Sequence, residues 1–179
     1  MQVKIYKGFK SFSKSINVVE KTEVSSTVHE ILTNVRKSGD AALREYTEQF
    51  DKVIPESWLV PESALEEALD NLEDDLFLVL QQAADNIMLF HERQKTDSRL
   101  DFSSDGSVLG WKVTPVDSAG IYIPGGRAAY PSTLLMNAIP AQIAEVPRIA
   151  VVSPPGPSGL PHPLVMATAA FMGLEELYA

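Results

Sequence analysis

The chain has 179 residues, of which 45 % are hydrophobic and 22 % charged, a composition typical of a soluble globular protein with one domain, or one and a small second one. Its formal net charge of −9 argues against nucleic acid or an anionic membrane as a partner, because both are bound through basic patches. The absence of cysteine excludes disulfides and thiolate zinc sites. The sequence contains neither a signal peptide nor an apolar run long enough to cross a membrane, so we expect a cytoplasmic protein.

The first part of the chain is predicted to be mainly helical. Residues 1–22 are polar and weakly patterned and are interpreted as an N-terminal arm. Residues 23–114 are predicted to form a helical segment with a hairpin, part of a first domain. Apolar residues at helical spacing predict four helices, which begin near Ser25, Asp40, Pro61 and Asp74. Asp105-Gly106 between two apolar runs predicts the hairpin.

Residues 115–179 have a different pattern, in which apolar strands alternate with helices. Strands are predicted at 121–123, at 148–152 and from Leu177, and helices at 133–146 and 164–173. Strands with nearly continuous apolar sequence, joined by helices, are typical of a parallel sheet with crossover connections. The fold class is therefore predicted to be α/β, with a helical N-terminal part followed by the start of a Rossmann-like parallel sheet.

The predicted sheet is incomplete, because its third strand begins only at Leu177. A strand at the edge of a sheet exposes unpaired amides and carbonyls, and these favour aggregation. We therefore expect an open edge beside this strand, with poor solubility or self-association. On the same ground we expect the chain to be a truncated fragment.

The loop after the first strand of this region is the best candidate for a ligand site. The strand leads into the turn Pro124-Gly125-Gly126, where glycine allows a ligand to approach the backbone closely. Ser132 or Thr133 is expected to cap the next helix, whose start would favour a phosphate or carboxylate. The alternative is a tight turn and a helix cap without a ligand. The loop contains neither G-x-G-x-x-G nor a P-loop, which weakens an ATPase or an ordinary Rossmann dehydrogenase as the interpretation.

The residues of this region resemble a known family. Three stretches, 120–126, 130–133 and 135–136, are similar to the most recognisable motif of histidinol dehydrogenase. Residues 138–141, 151–155 and 169–173 continue the resemblance in register. Residues 35–46 and Phe50-Asp51 resemble the N-terminal helices of the same family. The resemblance covers about Val24 to Ala179, which is nearly the whole chain.

The resemblance implies a dimeric, zinc- and NAD-dependent oxidoreductase of histidine biosynthesis that oxidises L-histidinol to L-histidine with two NAD in succession. Tyr122 matches the family's NAD-contacting tyrosine; the alternative is a half-buried aromatic residue in a strand. The resemblance also implies that Pro124, Gly125 and Gly126 shape the NAD pocket through backbone contacts. Arg127 could pair with a phosphate, although the resemblance assigns it no role.

The family's remaining functional residues match no part of this sequence. They comprise a Gly-Gly-Ala-Gln stretch, the Gln, Asp and two His zinc ligands, and a catalytic Glu-His pair, all expected beyond Ala179. The three histidines His29, His91 and His162 lack the spacing of a metal site and are predicted to be solvated or capping residues. No catalytic residue and no metal ligand is therefore predicted in this chain, and we expect it to bind no zinc and to oxidise no histidinol.

Three hypotheses follow. The first is the N-terminal part of a histidinol dehydrogenase, with the histidinol-oxidising activity belonging to the longer protein. The second is a non-catalytic module for nucleotide binding or dimerisation. The third is a different parallel-sheet enzyme with a site built from Asp117, Arg127 and Tyr130. The position of the last strand favours the first hypothesis over the second.

Overall fold

A computed structural model describes residues 23–125 and 128–179 of the chain. The predicted arm, residues 1–22, lies outside the described residues. The contacts within the chain divide it after Tyr46 into two compact units. The domain boundaries predicted at residues 22/23 and 114/115 stay predictions.

The first unit contains helix α1, Glu23–Ser38, and the beginning of helix α2, Asp40–Asp51. Gly39 separates the two helices with a φ of +54°, a left-handed conformation that glycine adopts without a steric penalty. Its amide donates to the carbonyl of Val35 over 2.8 Å, which ends α1. The Nδ2 of Asn34 donates to the Tyr46 hydroxyl over 3.3 Å and so joins α1 to α2.

The second unit follows the predicted order of two helices, a hairpin and an alternation of strands and helices. Its elements are α3 Glu62–Asp70, α4 Asp74–Glu92, β1 Arg99–Phe102, β2 Val108–Trp111, β3 Ala119–Tyr122, α5 Pro131–Ile143, β4 Ile149–Val152, α6 Pro163–Phe171 and β5 Glu176–Tyr178. No helix within the described ranges is both long enough and apolar enough to cross a membrane.

The core of the second unit is a parallel sheet of three strands in the order β3-β4-β5. One face of this sheet buries Ile121, Val151 and Leu177, which pack with residues of α3, α5 and α6. Full burial of an aliphatic side chain of this size contributes about 1.5–3 kcal/mol. The predicted α/β fold with the start of a parallel sheet is confirmed.

The outer edge of β5 is paired, and the expectation of an open edge beside the last strand was wrong. An extended segment at Leu59 forms an antiparallel bridge with Tyr178. The Val60 amide donates to the Leu177 carbonyl and the Ala179 amide donates to the Trp58 carbonyl, both over 2.8 Å. These bonds satisfy backbone groups that would otherwise be available to another chain.

The hairpin β1–β2 forms a separate two-stranded antiparallel sheet. All eight of its strand residues are exposed, including Phe102 at 77 % and Leu109 at 78 %. A two-stranded sheet without a buried face is marginally stable in water. The hairpin therefore adds little to the stability of the unit.

An ion pair joins the amino-terminal ends of β4 and β5. Arg148 donates to Glu176 from Nε to Oε1 over 2.8 Å and from Nη2 to Oε2 over 2.7 Å. The Tyr178 hydroxyl donates to the same carboxylate over 3.1 Å. The hydrogen bond from Arg148 is the main cause that lowers the pKa of Glu176 below its ordinary value of 4.5. A carboxylate held in this way stabilises the folded state only while it is ionised.

A Glu176→Gln variant should therefore melt below the wild type at neutral pH, by at most a few degrees, because the pair is partly exposed. Since folding lowers the pKa of Glu176, its contribution is present above pH 4.5 and is lost as the pH falls through the lower folded-state pKa. Thermal melts of both proteins between pH 7 and pH 2 measure this difference. A difference in Tm that stayed constant over the whole range would contradict the assignment.

Candidate functional site

The candidate site lies where β3 and β4 end. The two strands are parallel, with Tyr122 opposite Val152, so the loops that follow them leave the sheet at the same edge. The pairing continues for one residue, because the Ile123 amide donates to the Val152 carbonyl over 2.8 Å. In parallel α/β sheets this carboxyl edge is where ligands bind.

A cleft of about 830 Å³ opens at this edge. Three stretches of chain line it: residues 50–53 at the end of α2, the loop after β3, and residues 154–163 between β4 and α6. Its volume lies within the range of ligand pockets in proteins. The cleft therefore has room for a ligand the size of a nucleotide.

Tyr122 lines this cleft and is 62 % exposed, whereas its neighbours Ile121 and Ile123 are buried in the core at 7 % and 0 %. This alternation is the ordinary one of a strand with one covered face. The side chain of Tyr122 lies on the other side of the sheet, which leaves its ring accessible. A ring with this exposure is available for stacking against a ligand.

Gly125 also lines the cleft and packs closely against the loop after β4. A Cβ atom placed on Gly125 would lie 3.2 Å from both Cβ and Cδ of Pro154. Such contacts are tighter than side chains normally make, so glycine lets the two loops approach each other. Of the other predicted residues, Pro124 is exposed outside the cleft lining, and Gly126 and Arg127 lie outside the described residues.

The start of α5, which was expected to bind an anion, is capped differently from the prediction. Neither Ser132 nor Thr133 caps α5: the capping position is Tyr130, without a side-chain hydrogen bond, and Pro131 is the first helical residue. Proline has no amide to donate, and the Thr133 amide bonds to the Tyr130 carbonyl over 3.1 Å. The start of α5 consequently offers fewer free amides than the sequence suggested.

Helix α6 has the side-chain cap that α5 lacks. The Nδ1 of His162 accepts from the Leu164 amide over 3.1 Å, which confirms a capping role for this histidine. His162 also lines the cleft. In its neutral form this bond places the ring proton on Nε2, which leaves one donor for a ligand.

Asp51 and Lys52 line the cleft as well and were not predicted as site residues. Partial burial raises the pKa of the Asp51 carboxyl. Lys52 has a φ of +62°, a conformation that L-residues rarely adopt. No sequence motif marks Lys52, and its separation of 70 residues from Tyr122 gives no local signal of their proximity.

The comparisons with known proteins place the chain in a family. A family profile described as histidinol dehydrogenase matches residues 15–179. The chain belongs to the histidinol dehydrogenase family. It is 44 % identical to the histidinol dehydrogenase of Bacillus subtilis over 179 residues, which are 99 % of this chain and 42 % of the relative. It is 46 % identical to that of Geobacillus kaustophilus over 156 residues, 87 % of this chain and 37 % of the relative.

A solved structure agrees with this family assignment. The crystal structure of histidinol dehydrogenase from Elizabethkingia anophelis matches 99 % of this chain with a TM-score of 0.82 and 31 % identity. The match covers 42 % of that structure. The chain thus spans less than half the length of these histidinol dehydrogenases and corresponds to their N-terminal part.

Proposed function

We propose that this chain forms the dinucleotide side of a histidinol dehydrogenase, an enzyme that oxidises L-histidinol to L-histidine with NAD as the oxidant. The observation that carries the proposal is the position of Tyr122 and Gly125 in one cleft at the carboxyl edge of the sheet. In this proposal the exposed ring of Tyr122 stacks on a ring of NAD, and Gly125 allows the loop after β3 to pack against Pro154 in the wall of the cleft. The proposal also includes a homodimer in the cytoplasm.

Zinc is the second cofactor that the family resemblance implies. Within residues 23–125 and 128–179, no three His, Asp or Glu side chains form a group that could hold a metal ion. These residues do not fit a zinc site, so the proposal assigns them no step through a metal. The role proposed for them is to bind NAD.

A Tyr122→Ala variant should bind NAD about 5- to 150-fold more weakly than the wild type, because stacking on an aromatic ring is worth about 1–3 kcal/mol. Tyr122→Phe should retain most of the affinity, since it keeps the ring. The stability of both variants should stay within about 0.5 kcal/mol of the wild type, because the side chain is 62 % exposed. Isothermal titration with NAD and thermal melts measure the two quantities.

Phe102→Ala is the matched control, since Phe102 is an exposed aromatic residue of the hairpin, outside the cleft. It should bind NAD as the wild type does. A wild-type chain that melts cooperatively and binds no NAD would refute the proposal. Equal loss of affinity in Phe102→Ala and Tyr122→Ala would refute the assignment of Tyr122.

A further inference from the structure

The cleft is lined by a cationic side chain, Lys52, to which the family resemblance assigns no role. Lys52 directly follows the last residue of α2 and lines the same cleft as Tyr122 and Gly125. Of the described residues that line this cleft, Lys52 is the one lysine or arginine. It is also one of two non-glycine residues with positive φ in the described ranges, the other being Glu145. Each of them lies within two residues of a helix end, where a residue in this conformation commonly closes the last turn.

The charge of Lys52 is not neutralised by a carboxylate of the described residues. Its ammonium group donates to the backbone carbonyl of Gln49. The ion pairs recorded between described residues involve Lys95, Arg99 and Arg148, and none joins Lys52 to its neighbour Asp51. Burial raises the pKa of the Asp51 carboxyl, and no basic group contributes to that change. The ammonium is therefore available to an anionic ligand.

The helix starts nearest the cleft use most of their amides within the protein. In α6 the amide of Leu164 donates to the His162 ring, and the amides of Val165 and Met166 donate to the His162 carbonyl. In α5 the first helical residue is Pro131, which has no amide hydrogen. Helix starts bind phosphate through free amides, and these two have few to offer. These helix starts would consequently contribute little to binding a phosphate in this cleft, whereas a side-chain cation would provide a charged hydrogen bond.

We infer that Lys52 binds the pyrophosphate of the dinucleotide in this cleft. The inference rests on the proposed function, because it assumes that the ligand is NAD. The ammonium would exchange the Gln49 carbonyl for a phosphate oxygen, and a hydrogen bond between charged groups is stronger than one to a neutral carbonyl. Lys52 would then fix the phosphates while Tyr122 stacks on a ring.

The test compares NAD binding to the 179-residue chain and to its variants at low and high salt. Lys52→Gln should lose about tenfold or more in affinity at low salt, the usual effect of removing one charged hydrogen bond. The affinities of the two proteins should converge at high salt, because salt weakens the contact that only the wild type makes. Lys52→Arg keeps the charge and should bind NAD within about threefold of the wild type.

Two further variants distinguish loss of the Lys52 charge from an effect on folding and from a general change in net charge. Glycine adopts a positive φ without a steric penalty, so Lys52→Gly should fold at least as well as the wild type. It should still lose affinity for NAD, because it lacks the ammonium group. Lys112→Gln removes a charge outside the cleft lining and should bind NAD as the wild type does. If the wild type binds NAD and Lys52→Gly binds it equally well, the inference is overturned and the proposed function stands. If the folded wild type binds no NAD, both are overturned.

Discussion

Leu134→Ala should lower the free energy of unfolding by about 3–5 kcal/mol, a large share of the 5–15 kcal/mol that stabilises a typical domain. Leu134 lies in α5, is 0 % exposed and packs in the cluster that contains Ile121, Val151 and Leu177. Truncation to alanine would leave a cavity between α5 and the sheet, which the surrounding close-packed side chains could fill only in part. Urea or thermal unfolding monitored by circular dichroism measures the loss.

Leu109→Ala is the matched control for this substitution, because it removes the same atoms from a side chain that is 78 % exposed. Its free energy of unfolding should stay within about 0.5 kcal/mol of the wild type. Similar losses in the two variants would mean that α5 does not pack on the sheet as described.

Gly110→Val should abolish the pairing of β1 with β2. A Cβ atom at Gly110 would lie 2.0 Å from the carbonyl oxygen of Arg99 and 2.9 Å from the Cα of Leu100, and both of these are backbone atoms. Neither atom can move without breaking the register in which Leu100 faces Gly110. Global stability should change by less than about 1 kcal/mol, since the hairpin buries little apolar surface.

Hydrogen exchange followed by NMR distinguishes a local loss of β1–β2 pairing from a loss of global stability. In Gly110→Val the amides of β1 and β2 should exchange as fast as in an unstructured peptide, while those of β3 and β4 keep their protection. Gly120→Ala is the matched control, because an added Cβ there meets no atom within 4 Å. Retained protection of the hairpin in Gly110→Val would show that its strands pair differently.

The local elements were predictable because local sequence determines them. The apolar stripe after Pro61 predicted α3, and Pro61 indeed occupies its capping position, since its fixed φ suits the start of a helix. The hairpin followed from Asp105-Gly106: Gly106 has a φ of +85°, and the Asp105 carboxylate accepts from the Ser107 amide over 2.9 Å. In both cases a few neighbouring residues decide the conformation.

What the sequence did not predict depends on contacts between distant residues. The pairing of Leu59 with Tyr178 joins a short extended segment to a strand near the other end of the chain, and no periodic pattern marks that segment. Lys52 reaches the cleft of Tyr122 in the same non-local way. The cap at α5 was mispredicted for a local reason, because Pro131 starts the helix before Ser132 could cap it.

The pairing of Trp58–Val60 with β5 also determines where this sheet could grow. With that edge occupied, a further strand could join the sheet only beside β3, which has no second neighbour among the described residues. In doubly wound folds the first strand is central, and the strand order reverses next to it at a topological switch point. Tyr122 stands at the end of β3. A parallel strand added there would end beside Tyr122 and form the opposite wall of the crevice.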